Sequence, residues 1–385
     1  MIDEDVAESA VAGQPGTNRA GPGAAAFGDA PPWRGAEPDV VGPYLAAALH
    51  DSGWADCEVA LISGGKSNLT YRVHSAAGSL ILRRPPLGGG RAGAHDVGRE
   101  YAVMTALAAS PVPVPRTLVL ADPSATALGV PFYAMERVLG HVCRDGLPVG
   151  YADDEPTRAA LGAGLVDMLA DLHRLDPGEV GLASLGRPEG FLERQVRRWS
   201  RRWDELTSDG GPPGRIGVSG AAGIGAKLLR TMPQGPTATV VHGDYRLDNT
   251  ILHPSRVGEI AAVLDWEMST LGDPLADLAM LLLYWPEAGD APEYLQIQVS
   301  APVSALAGFP SRRDLVERYS ARTAIEVADL PWYMAFAFFK VGVILQDVVA
   351  RAEGGQMLGS GFDDVGSRVA PLMALADQAL RTGTV

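Results

Sequence analysis

The sequence predicts an α+β protein of two lobes, in which a small lobe with an antiparallel sheet and one main helix precedes a larger, mostly helical lobe. Short strand-like runs separated by turns fill much of residues 57–137. Helical apolar spacing dominates after about residue 141, apart from two short strand-like runs. With 385 residues, 46% of them apolar, the chain can bury a large core. We assign residues 37–139 to the first lobe and 140–385 to the second.

In the first lobe, segments 57–62, 69–74 and 79–83 are strand-like and separated by turns, which predicts a three-stranded antiparallel meander. A helix is expected over 97–109, before Pro111, and two more strands over 117–120 and 131–137. Residues 1–36 are rich in Gly, Ala and Pro, and we expect a disordered leader there.

The second lobe is predicted to be helical, with short strands only around Val240 and Val263. The run 332–345 is the most apolar, but Lys340 interrupts it and it is shorter than the roughly 20 residues of a bilayer span. We therefore expect a buried helix and no membrane association. Helices are predicted near 157–174, 190–206, 221–231, 274–284, 313–325 and 331–352.

The charge balance limits the classes of partner. Lys and Arg total 32 against 46 Asp and Glu, a formal charge of −14 that disfavours nucleic acid and anionic membranes. The two cysteines, Cys57 and Cys143, cannot form a disulfide framework or a zinc site. The acidic N-terminus lacks an export signal, so a cytoplasmic location is expected. The oligomeric state is left open.

Three polar residues of the second lobe have the order that phosphoryl transfer from a metal nucleotide requires. Asp244 is followed by Asn249 five residues later and by Asp265 at the end of an apolar strand. One acidic group must orient the attacking hydroxyl, while an amide oxygen and a second carboxylate hold Mg²⁺. We predict Asp244 as the catalytic base, Asn249 and Asp265 as magnesium ligands, and Glu267 as a helper near metal or substrate. Asp and Asn side chains in irregular loops often cap turns, and this alternative would explain one of the three residues but not all three in this order.

The loop between the first two predicted strands is a candidate phosphate site. Gly64 and Gly65 allow backbone N–H groups to approach phosphate oxygens, and Ser67 and Asn68 could add polar contacts. The alternative is a plain hairpin.

Two further positions of the first lobe could contact the nucleotide. Arg83 ends an apolar strand and could neutralise phosphate charge, held in place by Glu100 on the next helix. The alternative is a surface turn before Pro85. The backbone from Glu136 to Val138, at the end of the last strand, could bond the edge of adenine.

These motifs resemble the signature of the aminoglycoside phosphotransferase family, relatives of the protein kinases. His242-Gly243-Asp244 with Asn249, and then Leu264-Asp265-Trp266-Glu267, carry the resemblance, which runs from about residue 40 to the C-terminus. It implies a bilobal protein-kinase-like fold, ATP and Mg²⁺ as cofactors, and phosphorylation of a small-molecule hydroxyl. Many members carry Lys at the position of Arg83. Segments 64–71, 82–86, 186–190, 194–196 and 269–274 are similar to the kinase-like domain fused upstream of certain acyl-CoA dehydrogenases.

One helix offers a clue to the acceptor, because five arginines share a stripe opposite an apolar face. The stripe is either a solvated face or an anion site for the substrate, since guanidinium groups match carboxylate and phosphate geometry. In the second case Arg194 and Arg198 are candidate substrate residues, and a hydroxy acid or hydroxyacyl-CoA is favoured over an aminoglycoside or other antibiotic. The arginines are Arg194, Arg197, Arg198, Arg201 and Arg202.

Two other functions remain to be weighed. Loss of any one of the three polar residues would favour a catalytically silent nucleotide-binding regulatory module, yet all three are present. A protein kinase is disfavoured because Asp265-Trp266-Glu267 replaces an Asp-Phe-Gly sequence and no Ala-Pro-Glu segment follows.

Overall fold

The predicted fold class is confirmed by the structure, a computed structural model in which a sheet-containing lobe is followed by a mostly helical one. It describes residues 31–63, 68–87, 96–144, 146–208, 221–354 and 364–383.

The first lobe is built around one five-stranded sheet in the order β1-β2-β3-β5-β4, with antiparallel neighbours throughout. Arg83 lies opposite Tyr133 where β3 pairs with β5. A separate apolar cluster, which includes Leu45, Tyr71 and Leu82, covers one face of the sheet. The elements are α1 (Pro38–Ala48), β1 (Cys57–Ser63), β2 (Leu69–Ser75), β3 (Gly78–Arg84), α2 (Val97–Leu107), β4 (Thr117–Ala121) and β5 (Phe132–Glu136).

Residues 31–36 differ from the expected leader, because they pack against this sheet. The hydroxyl of Tyr71 donates to the carbonyl oxygen of Arg34 at 2.7 Å, and Arg84 donates to that of Gly35. Ala36 is fully buried. The predicted end of the disordered leader at residue 36 was therefore wrong for these six residues. Their glycine and proline content gave no sequence signal that they pack on the sheet. Residues 1–30 lie outside the described part of the chain.

The described residues of the second lobe form four short strands where two were predicted. The two predicted strands are β6, which pairs with β9, and β8, which pairs with β7. The partner strands β7 and β9 were not predicted, because each has only three residues. The backbone N–H of Leu264 donates to the carbonyl of Asn249 at 2.8 Å, which joins the two polar motifs at the base of the β7–β8 hairpin. The strands are β6 (Thr239–Val241), β7 (Thr250–Leu252), β8 (Ile260–Val263) and β9 (Thr270–Gly272).

Around these strand pairs lie helices that match the six predicted segments, together with two that were not predicted, α7 and α10. The 24-residue helix α9 packs against α4, α6 and α10. By length and composition α9 could cross a membrane, but 72% of its most apolar window is buried inside the protein. The helices are α3 (Glu155–His173), α4 (Phe191–Thr207), α5 (Ile224–Arg230), α6 (Pro274–Leu283), α7 (Pro292–Gln296), α8 (Arg312–Thr323), α9 (Leu330–Glu353) and α10 (Val369–Thr382).

The packing of α3 on the β7–β8 turn predicts that Gly164→Ala destabilises the protein. A Cβ at residue 164 would overlap the carbonyl oxygen of Gly258. Overpacking of this kind costs about 1–3 kcal/mol, and we expect a net loss of that order in the free energy of unfolding measured with urea. Gly223→Ala is the matched control, because its Cβ meets nothing within 4 Å. Equal stability of the two variants would contradict this packing.

Candidate active site

The loop that follows β6 is anchored from below by Asp277, which lies on α6. The backbone N–H groups of His242 and Gly243 donate to its two carboxylate oxygens at 2.5 and 2.7 Å, and His173 lies 3.3 Å away. Burial alone would raise the pKa of Asp277, but the hydrogen bond and charge of His173 lower it overall. A carboxylate with three donors thus fixes the start of the loop.

His242 links this loop to the strand that precedes Asp265. Its Nε2 donates to the carbonyl oxygen of Leu264 at 2.7 Å, and its Nδ1 accepts from the N–H of Asp244 at 3.2 Å. A neutral imidazole with its proton on Nε2 satisfies both bonds. The ring is fully buried against Trp266, with 4.8 Å between ring centroids. His242 is therefore a structural residue.

Asp244 emerges from this anchored loop with its carboxylate held by Asn249. The Nδ2 of Asn249 donates to Oδ2 of Asp244 at 3.0 Å and to its carbonyl oxygen at 2.8 Å. Because both amide bonds go to Asp244, the Oδ1 of Asn249 is left as an oxygen ligand. Burial raises the pKa of Asp244, against the opposing charges of Arg246 and Lys340. A more basic carboxylate is better suited to accept a proton.

Arg246 is a functional candidate that the sequence analysis did not single out. Its Nε lies 3.6 Å from Asp244 and 3.1 Å from Asp248, and its guanidinium stacks over the ring of Tyr284 at 4.8 Å. Asp248 and Tyr284 hold this cation beside Asp244 without full pairing. A basic residue two positions after a candidate base was the signal available in the sequence.

Arg83 joins three separate segments at the front of the site. Its Nε lies 3.3 Å from Glu100 on α2, and its Nη2 lies 3.1 Å from Oδ1 of Asp265. Glu100 also accepts from the hydroxyl of Tyr133 at 2.7 Å and from Nδ2 of Asn68. Burial raises the pKa of Glu100, although Arg83 opposes the shift. The pairing of Arg83 with Glu100 is thus present, and the surface-turn alternative is wrong.

Of the predicted phosphate loop, only Asn68 is described. Its amide nitrogen bonds Glu100 and its Oδ1 is buried without a partner among the described residues. The amide therefore holds Glu100 in place, whereas the prediction gave it a phosphate contact. Gly64, Gly65 and Ser67 lie outside the described residues.

The residues around Asp265 have the composition of a site for a hard cation. Carboxylate oxygens of Glu100, Asp265 and Glu267 all lie within 4.8 Å of one another. Asp265 has a φ of 65°, a left-handed conformation that a non-glycine residue adopts at a cost and that often marks a functional site. Mg²⁺ prefers carboxylate and amide oxygens, so these residues with Asn249 fit that ion.

Arg99, next to Glu100 on α2, ties this helix to the second lobe. Its Nη2 donates to the carbonyl oxygens of Ser269 at 2.6 Å and Leu185 at 2.7 Å. Ser269 lies two residues after Glu267, so α2 is fastened to the segment that carries the candidate metal ligands. The sequence gave no signal for this contact, because an arginine in the first turn of a helix is usually solvated.

The end of β5 leaves backbone groups accessible, as the predicted adenine contact requires. The side chain of Glu136 is exposed and pairs with Arg116 at 3.2 Å, so it is not directed to a nucleotide. The N–H of Val138 forms no hydrogen bond within the described part of the chain. The backbone of Val138 is therefore free to bond a ligand.

A cavity of about 370 Å³ opens beside Gly243 and Glu267, between α4, α6 and α9. The apolar part of its wall is formed by Phe191, Met280 and Phe336. Three cations line the cavity, Arg99 of α2, Arg198 of α4 and Lys340 of α9, together with the carboxylates of Asp96, Glu267 and Asp277. The Nζ of Lys340 donates to the carbonyl oxygen of Gly243 at 2.8 Å. The sequence analysis treated Lys340 only as an interruption of an apolar run.

The arginine stripe of α4 is mostly not part of this cavity, and Arg198 alone of the five lines it. Arg194 donates to backbone carbonyls of Arg187 and Glu189, so the structure does not bring it to the cavity. Arg197 pairs with Glu193 on the exposed face at 2.8 Å. Arg202 pairs with Glu205 and Asp347, and Arg201 is exposed. Periodicity placed the arginines on one face but could not show what that face meets.

The buried carboxyl group of Asp273, the N-cap of α6, should make the free energy of unfolding depend on pH. It accepts from the N–H of Leu275 and the hydroxyl of Tyr333, and burial raises its pKa to about 6. Because the folded state holds this proton more tightly, the stability it contributes is complete below about pH 4 and is lost as pH rises through about 6.

We therefore expect the free energy of unfolding of wild type, minus that of Asp273→Asn, to fall by up to about 3 kcal/mol between pH 4 and 7. Urea unfolding across this range measures the difference. Parallel pH curves for the two proteins would contradict the assignment.

The chain is similar in sequence to known proteins. A family model described as the phosphotransferase enzyme family matches residues 58–313. Acyl-CoA dehydrogenase family member 10 of Mus musculus is 34% identical over 322 residues, which cover 83% of this chain and 29% of that protein. Family member 11 of Rattus norvegicus is 34% identical over 293 residues, covering 74% and 35% respectively. The chain thus spans about a third of the length of these curated relatives.

Solved structures share the fold. A candidate aminoglycoside phosphotransferase from Ralstonia eutropha has a TM-score of 0.72 at 27% identity, covering 90% of this chain and 98% of that one. Aminoglycoside phosphotransferase APH(4)-Ia in a ternary complex with ADP and hygromycin B has a TM-score of 0.56 at 16% identity, covering 90% and 99%. An ethanolamine kinase of Plasmodium vivax has a TM-score of 0.58 at 12% identity, covering 89% and 87%.

Proposed function

The chain belongs to the phosphotransferase enzyme family, whose members transfer phosphate to hydroxyl groups of small molecules, and from this we propose that it is an ATP- and Mg²⁺-dependent O-phosphotransferase. The observation that carries the proposal is the arrangement of Asp244, Asn249 and Asp265. Asn249 holds the carboxylate of Asp244, and its backbone bonds the residue before Asp265. Among these residues, the candidate base Asp244 is the group that a silent nucleotide-binding module would not need.

Asp244 is proposed to orient the acceptor hydroxyl and to accept its proton. The hydroxyl oxygen forms a bond to the γ-phosphorus of ATP while the bond from that phosphorus to ADP breaks. The raised pKa of Asp244 and the bond from Asn249 support this role. Arg246 would keep the carboxylate in place, and most of the rate would come from positioning and from electrostatic stabilisation.

The donor side is proposed to lie between the sheet and Asp265. Arg83 would neutralise phosphate charge, with Glu100 holding it, and the backbone of Val138 would bond adenine. Gly64, Gly65 and Ser67 are proposed to cover the phosphates. Mg²⁺ would be held by Asn249 and Asp265, with Glu267 beside them, and would supply neutralisation of phosphate charge.

For the acceptor we propose an anionic hydroxy acid or a hydroxyacyl-CoA. Arg198 and Lys340 place positive charge in the cavity beside Gly243, which favours an electron-rich substrate over a polycationic antibiotic. The names of the curated relatives, which include acyl-CoA dehydrogenase, support acyl chemistry. An aminoglycoside acceptor is the alternative. A cytoplasmic location is also proposed, supported by two buried free thiols.

Asp244→Asn is expected to lower the turnover of ATP-dependent phosphate transfer by about a thousandfold, as for loss of a positioned general base. Its affinity for Mg²⁺ and AMP-PNP should stay near that of wild type. Mass spectrometry can detect the added phosphate on hydroxyacyl-CoAs, free hydroxy acids and aminoglycosides.

Asp167→Asn is a control for loss of a carboxylate elsewhere, because Asp167 pairs with Arg318 where α3 packs against α8. Unchanged turnover in Asp244→Asn would remove this residue from the mechanism. Phosphorylated aminoglycoside without any anionic product would overturn the proposed acceptor class.

A further inference from the structure

Of the three cations that line the cavity, Arg99 donates to the carbonyl oxygens of Ser269 and Leu185, while the other two, Lys340 and Arg198, have no carboxylate partner among the described residues. Lys340 lies in the middle of α9, where the carbonyl oxygen of Gly243 is its hydrogen-bond acceptor. The guanidinium of Arg198 lies over the ring of Trp199 at 5.1 Å. Within the described ranges, no Asp or Glu oxygen lies within 4 Å of either charged group.

The two charges are close enough to act on each other. Burial lowers the pKa of Lys340, and the charge of Arg198 lowers it further, against the attraction of Asp244 and Asp277. Like charges at one wall are unfavourable unless an electron-rich group lies between them.

The nearby carboxylates are already committed to other donors. Both oxygens of Asp277 accept backbone N–H groups, and Asp244 is bonded by Asn249 and paired with Arg246. The amide of Gln195, which also lines the cavity, could add a donor. The carboxylates of Asp96 and Glu267 also line the cavity, but within the described ranges neither lies within 4 Å of the charged group of Lys340 or Arg198. These two cations therefore keep donor capacity that no described carboxylate takes up.

We infer that Lys340 and Arg198 form an acyl-oxygen subsite, which binds the oxygen of the acceptor's carboxylate or thioester group. The inference rests on the proposed function and specifies which part of the acceptor each end of the cavity holds. Since Lys340 contacts Gly243, the residue bonded to Asp244, the acyl oxygen lies only a few bonds from the hydroxyl that is phosphorylated. Phe336 and Met280 would pack on the carbon chain.

A purely structural role is the competing explanation, in which Lys340 only ties the carbonyl of Gly243 to α9. That role would place Lys340 under the catalytic loop without affecting ligand selection. The two explanations differ in ligand binding, because a structural tie affects acyl and non-acyl ligands alike, whereas a subsite affects only those with an acyl oxygen.

Binding of butyrate, butyryl-CoA and 1-butanol is therefore measured by saturation-transfer NMR in the presence of AMP-PNP and Mg²⁺. Lys340→Met and Arg198→Met should bind butyrate or butyryl-CoA at least about tenfold more weakly than wild type, the range expected for a lost charge-assisted hydrogen bond. Binding of 1-butanol should be unchanged. Lys340→Arg should retain most of the affinity, because the charge is preserved. Arg197→Met, on the exposed face of the same helix, is the matched control.

The relative affinity of wild type for the two acyl ligands shows which kind of acceptor supplies the acyl oxygen. Tighter binding of butyrate indicates a free acid, and tighter binding of butyryl-CoA indicates a thioester. Equal acyl affinity in wild type and Lys340→Met, or no acyl binding to wild type, overturns the inference. Equal weakening for 1-butanol assigns Lys340 the structural role. The binding experiment requires no phosphate transfer. A failure of the proposed kinase activity is therefore detected separately, in the mass-spectrometric assay.

Discussion

The buried ion pairs of Arg83 hold together the parts from which the candidate site is built. One guanidinium from β3 contacts carboxylates that are 17 and 182 residues away along the chain, Glu100 and Asp265. Removing one partner of such a buried pair typically costs about 3–5 kcal/mol, because a charge is left uncompensated. The bond from Tyr133 to Glu100 and the contact of Arg99 with Ser269 reinforce the same junction. The position of the candidate metal ligands therefore depends on the first lobe.

A second constraint fixes the candidate base relative to that junction. Asp277 bonds the backbone at His242 and Gly243, and the imidazole of His242 bridges to Leu264, next to Asp265. The loop and the metal-ligand segment are thereby held in one rigid arrangement. Lys340 donates to the carbonyl oxygen of Gly243, so the cavity proposed for the acceptor is positioned by the same loop.

Local patterns in the sequence predicted the sheet, most helices and the three central polar residues, because each has a short-range signal. Asp273 before Pro274 marks a helix start, and the spacing of Asp244 and Asn249 suits metal-nucleotide chemistry. The contacts of Arg99 and Lys340 could not be predicted, since they join residues far apart in the chain. Helical periodicity also could not show that Arg198, alone of the five arginines, lines the cavity, because it defines a face but not the surface which that face meets.

The most direct test is the affinity of the protein for AMP-PNP with Mg²⁺, measured by isothermal titration calorimetry in wild type, Arg83→Met and Arg84→Met. Arg84 is also buried, but it bonds the carbonyl oxygens of Gly35 and Pro85, away from Asp265. Loss of a charge-assisted phosphate contact should weaken binding by about 100-fold in Arg83→Met, while Arg84→Met stays near wild type. Equal affinity of wild type and Arg83→Met would contradict the role of Arg83 at the donor site.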